Sequence, residues 1–359
     1  MMLPKERALL VELMADRKRN GEASLEELSF LADTAGVEVV DKVIQRRSEV
    51  DPAYFIGSGK ARELAEICEA EKVDVVIFDS DLAPNQVRNL EEIIPCKILD
   101  RSELIMDIFA AHARTAEAKI QVELAQLNYR LPRLKGKGID LSQLGAGIGT
   151  RGPGEKLLEV DRRKIRVRIA RLERELVRVQ RSREIQRARR KEMPSVALVG
   201  YTNAGKSSLL NALSRAEVSV KDKLFSTLDA KTCRVYLSPR LTVLLTDTVG
   251  FINKLPPHLV ASFRSTIQEA TDADLLLHIV DLSHEQREHQ MQVVQSILDE
   301  LGTSGKPLLT VFNKIDLVPD PEVIIQGLRL ENQKALFISA KTGEGLSGLR
   351  SALIFHFMP

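Results

Sequence analysis

The chain has 359 residues, of which 44% are hydrophobic and 28% charged, and its formal net charge is +2. This length suggests roughly two or three domains, and the apolar fraction excludes a disordered chain. The three widely spaced cysteines argue against a disulfide framework and favour reduced thiols. No apolar run approaches the ~18 residues of a membrane span, and the N-terminus lacks a signal peptide pattern, so a cytoplasmic protein without a membrane span is predicted.

Apolar runs alternate with helical patterns over the first hundred residues, which is typical of a small parallel α/β domain. The run 73–79 is rich in β-branched residues and ends in Asp, as a buried parallel strand does where it meets a loop. Residues 57–60, Gly-Ser-Gly-Lys, look superficially like a phosphate-binding loop. They lack the Walker spacing and a clear preceding strand, so we favour a turn and leave a second nucleotide site open. The predicted domain spans 1–101.

The middle of the chain, 102–192, is predicted to form an antiparallel helical hairpin. Residues 102–131 contain no Gly or Pro and predict one helix of roughly 40 Å, which Pro132 ends. Residues 155–192 also lack Gly and Pro. Apolar side chains there recur at alternating spacings of four and three, as in a coiled-coil seam: Ile165, Ile169, Leu172, Leu176 and Val179.

The connector 132–154 carries seven glycines and four Lys or Arg residues but only one acidic residue. The stretch 162–191 has fourteen Lys or Arg and three Asp or Glu, a net charge of +11. A glycine-rich cationic tip suits close approach to an RNA backbone, recognised by shape because aromatic residues are scarce. A flexible tip with a solvated basic face is the alternative. The candidate RNA contacts are Arg133, Lys135, Lys137, Gly147, Gly149, Arg151, Gly152 and Gly154.

The last domain, 193–359, opens with an apolar strand that runs into Gly-Tyr-Thr-Asn-Ala-Gly-Lys-Ser at 200–207 and then into a helix. This order makes a phosphate cradle, because loop N–H groups and the helix dipole face an anion. Lysine at 206 would reach the terminal phosphates, and the hydroxyl at 207 would bind Mg²⁺. The candidate phosphate-site residues are Gly200, Asn203, Ala204, Gly205, Lys206, Ser207 and Ser208.

Two further segments are predicted to meet the γ-phosphate. A hairpin of strands 232–238 and 241–247 leads to Asp247, a Mg²⁺ ligand through water, and to Gly250, whose N–H would face the γ-phosphate. Between the P-loop and this hairpin, the segment 224–229 includes two candidate nucleotide contacts, Phe225 and Thr227. Thr227 would close onto Mg²⁺ in the triphosphate state, and Thr232 is the alternative for that role.

Base recognition is assigned to two later motifs, each following a strand pattern. An Asp carboxylate accepts two hydrogen bonds from guanine, whereas adenine lacks the 2-amino group. The first motif comprises Asn313, which would tie the loop to the P-loop, Lys314 over the base, and Asp316. The second would contact guanine O6 through its backbone and comprises Ser339, Ala340 and Lys341. Four motifs in this order predict a Ras-like P-loop GTPase domain that uses GTP and Mg²⁺.

The residue that activates the attacking water is not identified. Ras-like GTPases often carry a water-orienting Gln after the Asp-x-x-Gly glycine, but Phe251 stands there. We therefore expect slow intrinsic hydrolysis that a partner accelerates. His258 is a candidate, although a lone histidine is more often structural. His278, inside an apolar strand, is predicted to be a core residue.

The chain resembles the HflX family of ribosome-associated translational GTPases over nearly its whole length. The resemblance rests on Phe-Ile-Gly-Ser-Gly-Lys at 55–60, Asp-Leu-Ala-Pro-Asn-Gln-Val-Arg-Asn-Leu-Glu at 81–91, Gln-Val-Glu-Leu-Ala-Gln-Leu at 121–127 and Gly-Ile-Gly-Thr-Arg-Gly-Pro-Gly-Glu at 147–155. It implies the three-part architecture above. It also implies binding to the large ribosomal subunit and its RNA, with the glycine-rich tip near the peptidyl-transferase region, and GTP-linked splitting or rescue of stalled ribosomes. The chain ends at Pro359, so functions of the extra C-terminal domain of some members are not expected here.

Two alternatives stay open at this point, a GTP-controlled ribosome-assembly factor and an RNA-remodelling protein. No DNA or membrane partner is expected, and the protein is expected to be monomeric away from the ribosome.

Overall fold

The computed structural model describes residues 5–14, 21–134, 153–188, 193–214, 224–225, 228–254, 269–303 and 305–358. The chain forms two compact units. One comprises Met1–Ala111 with Lys119–Leu176, and the other comprises His112–Ala118 with Val177–Pro359. We call them the N-terminal unit and the GTPase unit. None of the helices in the described ranges is long and apolar enough to cross a membrane.

The N-terminal unit contains a four-stranded parallel sheet in the order β2-β1-β3-β4. Its elements alternate along the chain: β1 (Arg7–Met14), α1 (Gly21–Ala35), β2 (Glu38–Arg46), α2 (Ser58–Glu71), β3 (Val75–Phe78), α3 (Pro84–Glu91) and β4 (Lys97–Asp100). Strand β3 is buried along its whole length, as its continuous apolar sequence predicts. The predicted small parallel α/β fold is therefore confirmed.

The Gly-Ser-Gly-Lys stretch at 57–60 forms the start of α2. A turn precedes it rather than a strand, and Lys60 pairs with Glu63 at 2.6 Å one helical turn later. Residues 58–60 are therefore helical rather than the turn that we favoured, and the described residues before them do not form the strand that a phosphate-binding loop needs.

The predicted single helix over 102–131 is wrong, because the structure has two helices, α4 (Arg101–His112) and α5 (Ala116–Arg133). The Thr115 side-chain oxygen accepts a hydrogen bond from the Ala118 N–H at 3.1 Å. Thr115 is therefore the N-cap of α5, and capping separates the helices although neither Gly nor Pro is present. Pro132 lies in the last turn of α5, which ends one residue later.

The second long helix is α6 (Pro153–Ala188), as predicted. Of the seam residues, Leu172 is buried and the other four are half-buried. Among the described side chains of α6, those of the apolar stripe are therefore the least exposed. Arg168 forms a two-point ion pair with Glu123 of α5 at 2.6 and 2.8 Å. The glycine-rich tip, 135–152, lies outside the described residues, and the complete hairpin stays a prediction.

Buried ion pairs occupy the carboxyl edge of the N-terminal sheet. Arg101 contacts Asp79 at 2.6 Å and also Glu27. Beside it, Asp100 accepts hydrogen bonds from the Tyr129 hydroxyl and from Arg133, the latter at 3.0 Å. Burial raises the pKa of Asp100, and the hydrogen bond from Tyr129 opposes that rise.

Arg133, a candidate RNA contact, has most of its hydrogen-bonding capacity used inside this unit. Besides the ion pair with Asp100, its guanidinium donates to the Leu82 carbonyl at 2.7 Å. It also stacks over the Tyr129 ring at 3.4 Å from the centroid. Its side chain is only 19% exposed. These contacts give Arg133 a structural role in joining the end of α5 to the sheet.

We predict that Tyr129→Phe destabilises this edge by about 1–3 kcal/mol, because Asp100 loses a hydrogen bond while it stays buried. Native-state hydrogen exchange of the β4 and α5 amides in the full chain measures the effect. Tyr236→Phe is the control, since that ring is 71% exposed. Equal exchange in Tyr129→Phe and the parent protein would contradict the prediction.

The GTPase unit contains a six-stranded sheet in the order β10-β9-β8-β5-β7-β6, in which only the β6–β7 pair is antiparallel. Its described elements are β5 (Ser195–Gly200), α7 (Lys206–Ser214), β6 (Lys231–Ser238), β7 (Leu241–Asp247), β8 (Leu275–Asp281), α8 (Arg287–Glu300), β9 (Leu308–Asn313), α9 (Pro321–Glu331), β10 (Leu336–Phe337) and α10 (Leu346–Phe357). The predicted hairpin is β6–β7, and the predicted P-loop GTPase fold is confirmed.

The parallel strands of this sheet end at one edge, where loops carrying polar side chains meet. His278 lies within β8 and is buried, as predicted for a core residue. Burial, with a smaller contribution from the nearby Lys206 charge, lowers the pKa of His278 to about 4. The sheet therefore places a neutral histidine, rather than a second cation, beside that lysine at neutral pH.

Candidate functional site

The loop between β5 and α7 has the backbone of a phosphate cradle. Asn203 and Gly205 adopt left-handed conformations, with φ of 61° and 92°. A Cβ atom at position 205 would lie 2.2 Å from Asn313 Nδ2, so only glycine allows this approach. The loop leads directly into the N-terminus of α7, where unpaired N–H groups and the helix dipole favour an anion.

Lys206 is buried at the floor of this loop. Its Nζ donates to the Gly200 carbonyl at 3.0 Å and to the Tyr201 carbonyl at 2.7 Å. Burial lowers the pKa of Lys206 to about 8, and the charge of Asp247 opposes that shift. A phosphate anion would restore the charge of this ammonium, so the residue suits the terminal phosphates of a nucleotide.

Ser207 and Asp247 bring two oxygen ligands together beneath the loop. The Ser207 hydroxyl donates to Asp247 Oδ2 at 2.5 Å, and both side chains are buried. This hard oxygen pair fits Mg²⁺, which is usually held by one or two protein oxygens together with substrate phosphates and water. In the described part of the chain no group of three or more His, Cys, Asp or Glu side chains is arranged so that it could hold a metal ion. Thr227, the third predicted ligand, lies outside the described residues.

The segment after Asp247 lies against the P-loop. The Thr202 N–H donates to the Phe251 carbonyl at 2.7 Å, and the Phe251 N–H donates to the Gly200 carbonyl at 3.1 Å. The Asn253 N–H donates to the Tyr201 hydroxyl at 2.8 Å. These bonds hold the segment on the P-loop through the residues that follow Gly200.

Gly250 lies against Thr202 and the Lys206 ammonium. A Cβ atom there would lie 2.7 Å from Thr202 Cα and 3.1 Å from Lys206 Nζ, so glycine is needed for steric reasons. Phe251 is 4% exposed, and its ring belongs to the core rather than to a position beside an attacking water. His258 lies outside the described residues.

The segment between the P-loop and β6 is also held by a P-loop side chain. The Phe225 N–H donates to Thr202 Oγ1 at 3.0 Å, and the Phe225 ring is buried. Sequence reasoning missed the roles of Tyr201 and Thr202, because the P-loop pattern leaves both positions free. Their hydroxyl groups are the only sequence signal that they could bind neighbouring backbone.

Asn313 ties its loop to the P-loop, as predicted. Asn313 Nδ2 donates to the Ala204 carbonyl at 2.9 Å, and Asn313 Oδ1 accepts from the Ala340 N–H at 2.9 Å. Asn313 therefore joins both motifs to the P-loop. Asp316, the residue predicted to accept hydrogen bonds from guanine, is exposed.

Lys314 has a partner that sequence reasoning missed. Its Nζ lies 2.8 Å from Asp281 Oδ2 at the end of β8. The Lys314 backbone is left-handed, with φ of 63°. Asp281 also accepts hydrogen bonds from the N–H and the hydroxyl of Ser283. This carboxylate thus fixes the direction of the lysine stem that is predicted to cover guanine.

The site combines a P-loop with a buried lysine, a Ser–Asp oxygen pair, and an Asn that joins the two predicted base-recognition motifs to the P-loop. These features together define a P-loop GTPase. Three family models together match most of the chain. Residues 22–110 match the GTP-binding GTPase N-terminal model, 112–190 the GTP-binding GTPase Middle Region model, and 195–314 the 50S ribosome-binding GTPase model.

Full-length relatives agree with these matches. GTPase HflX of Caldanaerobacter subterraneus subsp. tengcongensis is 48% identical over 97% of this chain and 80% of that protein. GTPase HflX of Escherichia coli K12 is 42% identical over 97% of this chain and 82% of that protein. A GTP-binding protein from Sulfolobus solfataricus, solved in complex with GDP, is 26% identical with a TM-score of 0.50 and covers 98% of both chains. The chain belongs to the HflX family of GTPases, and its activity is GTP hydrolysis.

We predict that GDP affinity falls above pH 8. Lys206 has a pKa of about 8 without nucleotide, and a bound phosphate raises it, so the charged form binds and the neutral form must first take up a proton. The association constant should drop roughly five- to tenfold between pH 7.4 and 8.8. Fluorescent GDP titrations below the ionisation of guanine N1–H measure this. An equally steep drop in Lys206→Met would contradict the assignment.

We also predict that Asp281→Ala weakens GDP binding roughly fivefold, because Lys314 loses the carboxylate that orients it. The same titrations measure the change at pH 7.4. Asp299→Ala on α8 is the matched control, since that carboxylate bonds Gln295 on an exposed helix. Equal GDP affinities of Asp281→Ala and Asp299→Ala would show that Asp281 does not contribute to nucleotide binding.

Proposed function

We propose that this GTPase binds the large ribosomal subunit through ribosomal RNA and uses the GTP cycle to split or rescue stalled ribosomes. The match of residues 195–314 to a ribosome-binding GTPase model supports the partner. The observation that carries the RNA contact is the cationic surface of α6. The proposed setting is the cytoplasm, with a monomer away from the ribosome.

The described side chains of α6 present their cations to solvent. This helix has 36 residues, about 54 Å at 1.5 Å per residue. Some of its cations have acidic neighbours, as in the Lys164–Asp161 and Arg171–Glu175 pairs. Other exposed cations are Arg163, Arg166, Arg174 and Arg181. A rod of this length and charge suits contact with phosphate backbones and predicts salt-sensitive binding.

The glycine-rich connector would form the tip of this RNA-binding arm. Gly154 lies in the first turn of α6, and the other proposed contacts apart from Arg133 lie outside the described residues. Because Arg133 already contacts Asp100 and Leu82, we assign RNA binding to the connector and α6 and keep Arg133 as a support for the arm.

In the proposed site, the P-loop N–H groups and Lys206 bind the phosphates. Ser207, Asp247 and Thr227 would hold Mg²⁺, which neutralises charge on the β- and γ-phosphates when bound. Guanine would be held between Asp316, the Lys314 stem and the backbone of 339–341. The buried Phe251 ring leaves the attacking water without a side chain from that position. We propose that the ribosome supplies or orders the missing group, which makes intrinsic hydrolysis slow.

GTP turnover measured with and without purified large subunits tests this proposal. We expect at least roughly tenfold stimulation, and loss of stimulation when residues 136–152 are replaced by a short linker. The linker variant should keep intrinsic turnover, because the replaced residues lie outside the GTPase domain. Light scattering of intact ribosomes with each variant then measures splitting directly.

The other outcomes separate the alternatives. Equal turnover with and without subunits would overturn the ribosome-stimulated reading. Stimulation only by precursor subunits would indicate an assembly factor, and equal competition by free structured RNA would indicate RNA remodelling. Asp316→Asn tested with GTP and xanthosine triphosphate is the matched control. It should exchange base preference while subunit stimulation persists with the new nucleotide.

A further inference from the structure

The loop that follows β10, residues 339–345, is closed on itself. The Ser339 N–H donates to the Glu344 carbonyl at 3.0 Å, and the Gly343 N–H donates to the Ser339 carbonyl at 2.9 Å. The Thr342 N–H donates to Ser339 Oγ at 3.0 Å, and Ser339 is fully buried. Because these bonds fix the shape of the loop internally, its position is decided by β10, the strand that it follows.

In the described part of the chain, one backbone N–H group of the second base-recognition motif is left for guanine. The Ser339 N–H is used within the loop, and the Ala340 N–H donates to Asn313 Oδ1 at 2.9 Å. Among the described residues the Lys341 N–H has no hydrogen-bond acceptor, and Lys341 is exposed. Guanine O6 is a hydrogen-bond acceptor. The Lys341 N–H is therefore the donor that the predicted O6 contact requires.

The backbone attachment of β10 to the sheet is short. The strand has two residues, Leu336 and Phe337, which pair with Val311 and Phe312 of β9. Just beyond the strand, the Ile338 N–H donates to the Phe312 carbonyl at 2.8 Å. Strands usually have about 3–10 residues, so this ladder is at the lower limit. Side chains must therefore contribute to holding the end of β10 in place.

The rings of the last register pair supply such a contact. Phe337 and Phe312 are stacked, with ring centroids 5.2 Å apart and an interplanar angle of 11°. The Arg329 guanidinium of α9 lies over the Phe337 ring, 5.5 Å from its centroid. Phe312 is 2% exposed and directly precedes Asn313 in the sequence. The stack thus ties the strand before the second base-recognition motif to the residue before the first.

We infer that Phe337 is a positioning residue for guanine recognition, because its stack on Phe312 sets where the Lys341 N–H lies relative to Asp316. Asp316 is predicted to accept hydrogen bonds from guanine N1–H and the 2-amino group, and O6 is the next polar group along the same edge of the base. Both contacts form together only when the two motifs are correctly spaced. Phe337 acts through the loop and does not need to touch the nucleotide. This inference rests on the proposed base contacts of Asp316 and of 339–341.

Titrations of the full chain with GDP, 6-thio-GDP and inosine diphosphate, each with Mg²⁺ at about pH 7, test this role. The sulfur of 6-thio-GDP is a weak acceptor in place of O6, and inosine diphosphate lacks the 2-amino group. The preference for GDP over 6-thio-GDP therefore reports the O6 contact, and the preference for GDP over inosine diphosphate reports Asp316. We expect Phe337→Leu to lower the first preference roughly fivefold, the effect of one stacked aromatic pair, and to leave the second unchanged.

Matched variants separate positioning from general destabilisation. Phe337→Tyr keeps the ring and should keep both preferences. Phe357→Leu on α10 is the control, because it also removes a half-buried ring of the GTPase unit but lies outside both motifs. A general loss of stability weakens all three nucleotides by the same factor and changes neither preference. If Phe337→Leu does not fold, Arg329→Met decides, since it removes the exposed guanidinium from the ring and should lower the first preference about twofold.

Three results would overturn the inference. In the first, Phe337→Leu, or Arg329→Met in its place, keeps the parental preference for GDP over 6-thio-GDP. In the second, both preferences fall together, and in the third, Phe357→Leu causes the same fall. A parent protein that binds GDP and 6-thio-GDP equally would overturn the O6 contact and this inference with it, while a preference for GDP over inosine diphosphate would still support Asp316. Subunit-stimulated turnover is measured separately, so failure of the ribosomal role would leave these preferences as they are.

Discussion

The GTPase unit depends on one buried charge, the Lys206 ammonium. Its burial costs free energy, which hydrogen bonds to the Gly200 and Tyr201 carbonyls and attraction to Asp247 only partly offset. A phosphate supplies the missing counter-charge, so the site is poised for an anion. The surroundings accommodate this: His278 is kept neutral within β8, and Gly250 leaves room beside Nζ. Nucleotide binding thus relieves an imbalance that the fold itself creates.

The P-loop also holds the two segments that are predicted to meet the γ-phosphate. Tyr201 and Thr202 are the two residues after Gly200. Through their hydroxyl groups and backbone they bind two segments, the one that contains Phe225 and the one that contains Phe251 and Asn253. A glycine-rich loop supplies phosphate contacts through N–H groups, which leaves these side chains available for other work. Movement of either segment toward a bound nucleotide would have to break these bonds with the P-loop.

Sequence reasoning succeeded where local pattern determines structure. The parallel strands, the P-loop and the Asn313 motif could each be predicted from a short run of residues. The order of the motifs along the chain predicted a GTPase fold, in which they meet at one edge of the sheet. It failed where the deciding contact is distant in sequence. The break between α4 and α5 depends on Thr115, whose hydroxyl is bound by Asp229 114 residues later. The partners of Arg133 and Lys314 were invisible for the same reason, since both carboxylates are more than thirty residues away.

Arg133 shows how this limit bears on function. Counting charges treats every Arg in a basic stretch as available to a polyanion, yet a guanidinium that bonds Asp100 and stacks on Tyr129 would have to break those contacts to bind phosphate. Asp100 would then remain buried without its cation, at a cost that an exposed phosphate contact does not recover. The exposed α6 cations Arg163, Arg166, Arg174 and Arg181 carry no such cost, because their side chains already face solvent. The charge available for the proposed RNA contact therefore lies along α6, and Arg133 holds the end of α5 against the N-terminal sheet.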